Sequence, residues 1–156
     1  MRYPAFLILS TLLPGISFAD TATDFEAAIA RWHTLHISNY SFLYEDGGDG
    51  LISPHCAGTK IRVHVRRGVT SLPVVVAGRT HCPAGTRGSR IGIQVPATIE
   101  DVFKTIQRYV YKPPTPVELT VTYDSKYGVP LSYYAAKTEI SDSDEGFTIS
   151  RFEVDH

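Results

Sequence analysis

The chain has few cysteines, a single tryptophan and almost no net charge, and these scarcities exclude several classes of protein. Two cysteines in the whole sequence allow one disulfide within the chain. A formal net charge of −1 does not favour nucleic acid or an anionic membrane as a partner. The nucleophile elbow, the HExxH zinc motif, the Walker loop and the dinucleotide fingerprint are all missing. We therefore predict no nucleic-acid partner and no cofactor, and no motif designates a catalytic or metal-binding residue.

The longest apolar run lies at the start of the chain and is too short to cross a membrane. Residues 5–13 read AFLILSTLL and follow Arg2, whereas a bilayer span needs about 20 apolar residues. A basic start, a short apolar run and a small residue before the cleavage point are typical of a signal peptide. We predict that residues 1–19 are such a peptide, cleaved between Ala19 and Asp20. The mature protein would then be periplasmic or secreted, with no transmembrane anchor.

The two cysteines each follow a histidine, as His55-Cys56 and His81-Cys82. Two cysteines in an exported chain tend to pair. A zinc site would instead need adjacent residues to converge on one ion twice, although known sites space their ligands by about two or more positions. We predict a Cys56–Cys82 disulfide and no metal, with a tetrahedral metal site as the alternative.

The first predicted helix covers TDFEAAIARWHTLH. Thr23 and Glu26 have the spacing of a capping box. A stripe at i, i+4, i+7 and i+11 is typical of one buried helix face, and it comprises Phe25, Ile29, Trp32 and His36. We expect Trp32 to anchor the core and His36 to be a hydrogen-bonded core histidine. A ligand-stacking role for Trp32 and a metal shared by His33 and His36 are the alternatives.

Alternation predicts strands in the next segments. Tyr40, Phe42 and Tyr44 alternate with smaller residues, a strand pattern. TKIRVHVRRGVTSLPVVVAG reads as a hairpin that turns at Arg67-Gly68. Pro73 indicates that its strand lies near an edge. The expected register pairs Val65 with Thr70, Val63 with Leu72, and Ile61 with Val74.

The same hairpin carries the strongest basic feature of the sequence. The outward positions of its first strand form a basic row, Lys60, Arg62, His64 and Arg66. A solvated face is the ordinary explanation for such a row. The other is a binding surface for an acidic partner.

A second helix is predicted over PATIEDVFKTIQRYVYKPP. Thr98 and Asp101 have capping spacing, and Pro113-Pro114 stop the helix. The apolar stripe comprises Ile99, Val102, Phe103, Ile106 and Tyr109 or Val110.

Three strands follow the second helix. Val117, Leu119, Val121 and Tyr123 share the inward phase of the first, and Asp124 is expected to bond the backbone of the turn that follows. In the last strand, Phe147 and Ile149 are out of phase with Phe152 and Val154. This slip predicts a β-bulge near Ser150-Arg151.

The predicted order is therefore a helix and three strands, twice. The helix starts, Thr23 and Thr98, lie 75 positions apart, which indicates a degenerate duplication. Half of the chain could bury little alone, so we predict a single α+β domain over residues 20–156 with a mainly antiparallel sheet and both helices on one face.

Four stretches together resemble one protein family. They are the Trp32 helix followed by YSF, then TIEDVF, VTYDSKYGVP and SDSDEGFTIS; the most specific piece is Tyr123-Asp124, Tyr127-Gly128 and Pro130. The family comprises small exported bacterial proteins and is known only as a domain of unknown function. The resemblance implies an exported bacterial α+β domain and carries no activity. The repeated unit is also loosely similar to secreted inhibitors that bind enzymes through a concave sheet, an analogy of fold that sets no function.

Two hypotheses of different class follow. The first is a non-enzymatic binding or envelope-interaction module that uses the outer sheet face, with the basic row and whichever of Tyr133 or Tyr134 points outward. The second is a small hydrolase or metal-dependent enzyme that gathers His55 or His81 with Asp124. We favour the first, because no polar cluster has catalytic spacing.

Overall fold

The computed structural model describes residues 18–46, 58–77, 84–85, 97–112, 117–137 and 145–155. These ranges form two helices and seven strands, which confirms the α+β prediction. In chain order they are α1 (Phe18–Leu35), β1 (Tyr40–Asp46), β2 (Lys60–Arg66), β3 (Val69–Thr70), β4 (Val74–Ala77), α2 (Ile99–Tyr111), β5 (Val117–Tyr123), β6 (Pro130–Lys137) and β7 (Glu145–Val154). Neither of these helices is long and apolar enough to cross a membrane.

The strands form a single antiparallel sheet in the order β3-β2-β1-β7-β6-β5, and β4 also pairs with β2. Both helices lie on one face, because the buried side chains of the strands and helices meet in one core. Its largest members include Phe25, Trp32, Phe42, Tyr44, Phe103, Tyr133 and Phe147. The predicted arrangement of sheet and helices is therefore confirmed.

The two halves repeat the order of their elements, but the three-dimensional arrangement of one half is not a rotated copy of the other. β1 of the first half lies antiparallel beside β7, the last strand of the second half. Across the sheet, β3-β2-β1 of the first half is followed by β7-β6-β5 of the second half, so corresponding strands occur in the same lateral order. Each strand nevertheless runs opposite to its counterpart, while both helices lie on the same face. These relations describe a reflection, and a reflection cannot superpose two segments built from L-amino acids. The repetition therefore lies in element order, without a symmetric pair of units.

The start and end of α1 differ from the prediction. The helix begins at Phe18, so Thr23 already lies inside it, and the capping box of Thr23 and Glu26 is wrong. His36 is exposed and follows the helix with a left-handed φ of 48°. That conformation ends the helix and turns the chain toward β1, which makes the prediction of His36 as a core histidine wrong.

The predicted cap and stripe of α2 are confirmed. The Asp101 backbone N–H donates to Thr98 Oγ1 over 3.2 Å, and the Thr98 N–H donates to Asp101 Oδ2 over 3.1 Å. Each residue satisfies a backbone donor of the first turn, as a capping box requires. The side chains of Ile99, Val102, Phe103, Ile106 and Tyr109 are buried.

The hairpin of β2 has the predicted turn but not the whole predicted register. Arg67 and Gly68 both have positive φ, and Val65 pairs with Thr70 as expected. Ile61, however, pairs with Val75 instead of Val74, and Leu72 is exposed. The pairings of Val63 with Leu72 and of Ile61 with Val74 are therefore wrong.

A local interruption explains the shift. The Ser71 N–H still donates to the His64 carbonyl over 2.9 Å, in the register of Val65 with Thr70, but Pro73 has no N–H to donate. The strand breaks between β3 and β4 and resumes one residue out of register, which turns Val75 inward.

The turn between β5 and β6 is closed by Asp124, as predicted. Its Oδ1 accepts hydrogen bonds from the backbone N–H groups of Lys126 at 2.9 Å and Tyr127 at 2.6 Å. The turn lies against α1: Arg31 Nη1 donates to the Ser125 carbonyl over 2.6 Å. Gly128 has a φ of +76°, and a Cβ there would lie 2.3 Å from the Ala28 carbonyl oxygen. Only glycine fits this approach without displacing the helix.

Candidate functional site

The face of the sheet opposite α1 and α2, here called the open face, carries the predicted basic row. Ile61, Val63 and Val65 on β2 are fully buried beneath the helices. The alternate positions therefore point to the open face, as predicted. They are Lys60, Arg62, His64 and Arg66, of which the outer two are exposed and the inner two half-buried.

The two ends of the basic row have acidic neighbours, and among the described residues its centre has none. Lys60 Nζ lies 3.4 Å from Glu45 Oε2, and Arg66 Nη2 lies 3.4 Å from Asp155 Oδ2. No carboxylate of the described residues lies within 4.0 Å of the side-chain nitrogens of Arg62. The positive charge of the row is therefore least compensated at its centre.

The predicted β-bulge lies beside this centre and is confirmed. On β1 the single residue Phe42 separates Ser41 from Leu43, whereas their partners on β7 are Glu153 and Ser150. Arg151 has a left-handed φ of 50°. The extra residue of the bulge leaves Ser150 and Arg151 both exposed and returns Phe152 to the helix side, where its ring centroid lies 6.0 Å from that of Trp32.

A small depression, the arginine depression, lies where β2, β1 and β7 meet. It is lined by Ser41, Phe42, Leu43, Arg62, Arg151 and Glu153. Leu43 is only 6% exposed although it points to the open face. Arg62 and Ser150, the neighbour of Arg151, lie opposite it on the adjacent strands, and arginine stems can cover such apolar surface while the guanidinium stays accessible.

Apolar side chains border the same surface. Val74 faces Arg62 across the β2–β4 pairing and is partly exposed, as is Val76. Farther along the sheet, Tyr134 is 45% exposed, whereas Tyr133 is buried. Tyr134 is therefore the tyrosine of this pair that the open face presents.

A cavity of about 680 Å³ lies beside α2 on the other side of the molecule. Its described lining comprises Thr105, Gln107, Arg108, Tyr109, Tyr111, Lys112 and Glu145. The Tyr109 hydroxyl donates to Glu145. Burial raises the pKa of Tyr109 most, and the hydrogen bond to Glu145 raises it further. The apolar pattern of the sequence places Tyr109 only on the helix stripe, because Glu145 lies 36 positions away.

Buried aromatic rings continue from this cavity into the core. The Tyr109 and Tyr133 ring centroids are 5.3 Å apart, and Tyr133 lies at the same distance from Phe147. The Tyr133 hydroxyl is close to that of Tyr109 but outside good hydrogen-bond geometry. The polar edge of the cavity thus rests on packed rings that hold Tyr109 in place.

Trp32 anchors the junction of α1, β1 and α2. Its Nε1 donates to Glu100 Oε1 over 2.7 Å, and its ring meets Tyr40 edge-on at 5.4 Å. The Tyr40 hydroxyl accepts from the Ile99 N–H over 3.1 Å, which satisfies a free donor of the α2 first turn. Trp32 is 4% exposed, so its predicted role as core anchor is confirmed.

A family profile matches residues 24–154, and the family is one of unknown function. The chain belongs to this family, DUF6174. No curated protein and no solved structure matches the chain. The predicted resemblance to a domain of unknown function is therefore confirmed.

The stretches that resemble DUF6174 hold the fold together. Trp32 and Tyr40 bond to the first turn of α2. Asp124 is engaged by its own turn, and Gly128 permits contact with α1. These four residues position the sheet and its helices and do not line the arginine depression, whereas Ser41 and Phe42 of the YSF stretch do.

Several predicted site residues lie outside the described residues, namely His55, Cys56, His81 and Cys82. The disulfide and its metal alternative therefore stay predictions. Within the ranges that the structure describes, no three His, Cys, Asp or Glu side chains converge as metal ligands would.

Proposed function

We propose that this DUF6174 chain is an exported, non-catalytic binding module whose open face contacts an acidic segment of a partner protein. The observation that carries the proposal is the uneven compensation of the basic row. Cross-strand acids lie beside Lys60 and Arg66 at its ends, whereas Arg62 at its centre is half-buried with no carboxylate in reach among the described residues. A partner carboxylate would supply that missing charge.

The apolar border supports a peptide segment as the occupant. Val74 and Tyr134 are exposed on the same face as Arg62. Protein interfaces combine such apolar and aromatic contacts with charged pairs. An acidic segment with interspersed apolar residues therefore complements this surface.

Asp124, which the enzyme hypothesis requires as a catalytic residue, has a structural role in its turn. Its carboxylate already accepts two backbone hydrogen bonds from its turn. That engagement favours the binding module over a hydrolase built on Asp124.

Titration with a defined peptide tests the proposal. The probe is a synthetic peptide of alternating glutamate and leucine, added to the isotopically labelled mature chain at low and at physiological salt. We expect amide shifts of β1, β2 and β7 to change, with weaker binding at higher salt because charges drive the contact. Shifts confined to α1 and α2, or none at all, would contradict the proposal.

The register of β2 and β4 supports the disulfide in the same proposal. Lys60 pairs with Ala77, and Cys56 lies four positions before Lys60 and Cys82 five positions after Ala77. The Gly85 N–H donates to the Val75 carbonyl over 2.7 Å, so the chain beyond Cys82 returns to β4. Lys60 and Ala77 thus bring the two segments that contain the cysteines to neighbouring strands at one end of the sheet, and a separation of about four or five residues from such positions is compatible with a bond.

Intact mass tests export and the disulfide together. We expect the exported protein to start at Asp20 and to gain about two hydrogens on reduction, with no metal by elemental analysis. Free thiols with a stoichiometric metal would instead restore the enzyme hypothesis. A retained N-terminal segment would contradict export through a cleaved signal peptide.

A further inference from the structure

The arginine depression brings two arginines, Arg62 and Arg151, together on the open face. Arg62 on β2 faces Leu43 on β1, and Leu43 faces Ser150 on β7. The bulge then places Arg151 next to Ser150, so the two arginines flank Leu43 from opposite sides and line the same depression. Ser41 adds a hydroxyl to this lining, from a residue that is only 6% exposed.

The backbone at Arg151 is unfavourable for an arginine. Its φ of 50° is left-handed, a conformation that glycine adopts freely and that an L-residue with a Cβ resists. Non-glycine residues held in this region cluster at functional sites, and β-bulges there re-aim a side chain. An arginine at this position therefore points to a role for its side chain.

The charges of the depression are unbalanced. Glu153 lines it too, but its carboxylate lies beyond 4.0 Å from either guanidinium. Two arginines and one more distant glutamate therefore line the depression beside the buried Leu43, where water screens charge less than in bulk. A planar guanidinium donates two parallel hydrogen bonds to a carboxylate, so this pair suits a single oxyanion.

We propose that Arg62 and Arg151 form a receptor for one carboxylate of an acidic peptide segment, with the Ser41 hydroxyl as an additional donor. This inference rests on the proposed function and names its central contact. Val74, partly exposed and opposite Arg62, would contact an apolar side chain next to that carboxylate. The proposal thus specifies a glutamate or aspartate beside an apolar residue.

The test uses the full mature chain, the glutamate–leucine peptide and inorganic phosphate. We expect Arg62→Gln and Arg151→Gln each to weaken peptide binding by about tenfold, the loss expected for a charge-assisted hydrogen bond. Glu153→Gln should strengthen binding, since it removes a competing carboxylate. Arg108→Gln on α2 removes the same charge from the helix side and should leave the affinity unchanged.

Arg151→Gly separates binding from folding. It removes the guanidinium and relieves the left-handed strain, so we expect a raised denaturation midpoint together with weakened peptide binding. A variant that is more stable yet binds less cannot have lost affinity through unfolding.

The remaining possible results would each contradict a different part of the two proposals. If both arginine variants bind as the wild type does while Lys60→Gln and Arg66→Gln lose affinity, the receptor is wrong and the open face as binding surface survives. If the peptide perturbs no open-face amide, the proposed function itself is wrong. Phosphate that binds as tightly as the peptide would overturn the assignment of a peptide carboxylate, and preferential binding of an acidic polysaccharide would overturn the choice of partner.

Discussion

Replacement of Gly128 by alanine should be the most damaging single-methyl change that the described structure offers. The new Cβ would lie 2.3 Å from the Ala28 carbonyl oxygen and 3.3 Å from Arg31 Cβ. The nearer atom belongs to the backbone of α1 and cannot rotate away, so the helix or the turn must move. The left-handed φ costs about 1–2 kcal/mol, and loss of the Arg31–Ser125 hydrogen bond costs about 1 kcal/mol more. With disturbed packing we expect roughly 3–5 kcal/mol off the free energy of unfolding.

Gly68→Ala is the matched control for this experiment. Gly68 has nearly the same φ, +74°, but a Cβ there would meet nothing within 4 Å. Gly68→Ala should lower the free energy of unfolding only through the unfavourable left-handed φ, by about 1–2 kcal/mol. Urea denaturation followed by the fluorescence of Trp32, the single tryptophan, measures both variants. Equal losses for the two would refute the argument that contact with α1 fixes Gly128.

Three further predictions concern the cap, a buried phenol and the cysteines. Thr98→Ala should cost about 1 kcal/mol of unfolding free energy in urea titration because it removes half of the capping box, whereas Thr98→Ser should keep the bond. Burial raises the pKa of Tyr40 to about 12, so the fold favours the neutral phenol: its stabilisation should be complete below the unfolded pKa of about 10 and fall by about 2–3 kcal/mol as pH rises through 12. Urea titrations at stepped alkaline pH measure that loss, and an unchanged slope in Tyr40→Phe would contradict it. Reduction of the predicted Cys56–Cys82 bond should lower the free energy of unfolding by about 3–4 kcal/mol, and a Cys56→Ser variant that is insensitive to reductant is the control.

Local patterns predicted those parts of the fold that local chemistry determines. The cap of α2, the alternation on β2 and the bulge at Arg151 each depend on residues within a few positions of one another. The register error at Val75 arose where Ser71 and Pro73 interrupt the strand, because alternation alone assumes an unbroken ladder. The pairing of β1 with β7 joins distant parts of the chain, which a local pattern does not encode.

The same limit applies to the candidate site. The basic row followed from alternation, and the bulge followed from the phase slip. The proximity of the basic row and the bulge could not be predicted, because Arg62 and Arg151 are brought together by the pairing of both β2 and β7 with β1. The hydrogen bond from Tyr109 to Glu145 was equally hidden. Sequence reasoning thus found members of the site and missed the contacts between elements that assemble it.

The residues that hold the fold together differ from the arginines of the depression, although Ser41 and Phe42 of the YSF stretch line it as well. Trp32, Tyr40, Asp124 and Gly128, which carry the resemblance to the family, each make a contact that holds helices and sheet in place. Membership of DUF6174 therefore reports the shared scaffold, and a scaffold does not specify what its surface binds. The exposed side chains of the open face lie outside those contacts, so they can change without loss of these structural contacts. The partner should accordingly be sought by perturbing Arg62 and its neighbours in this chain, with the structural residues left intact as the background.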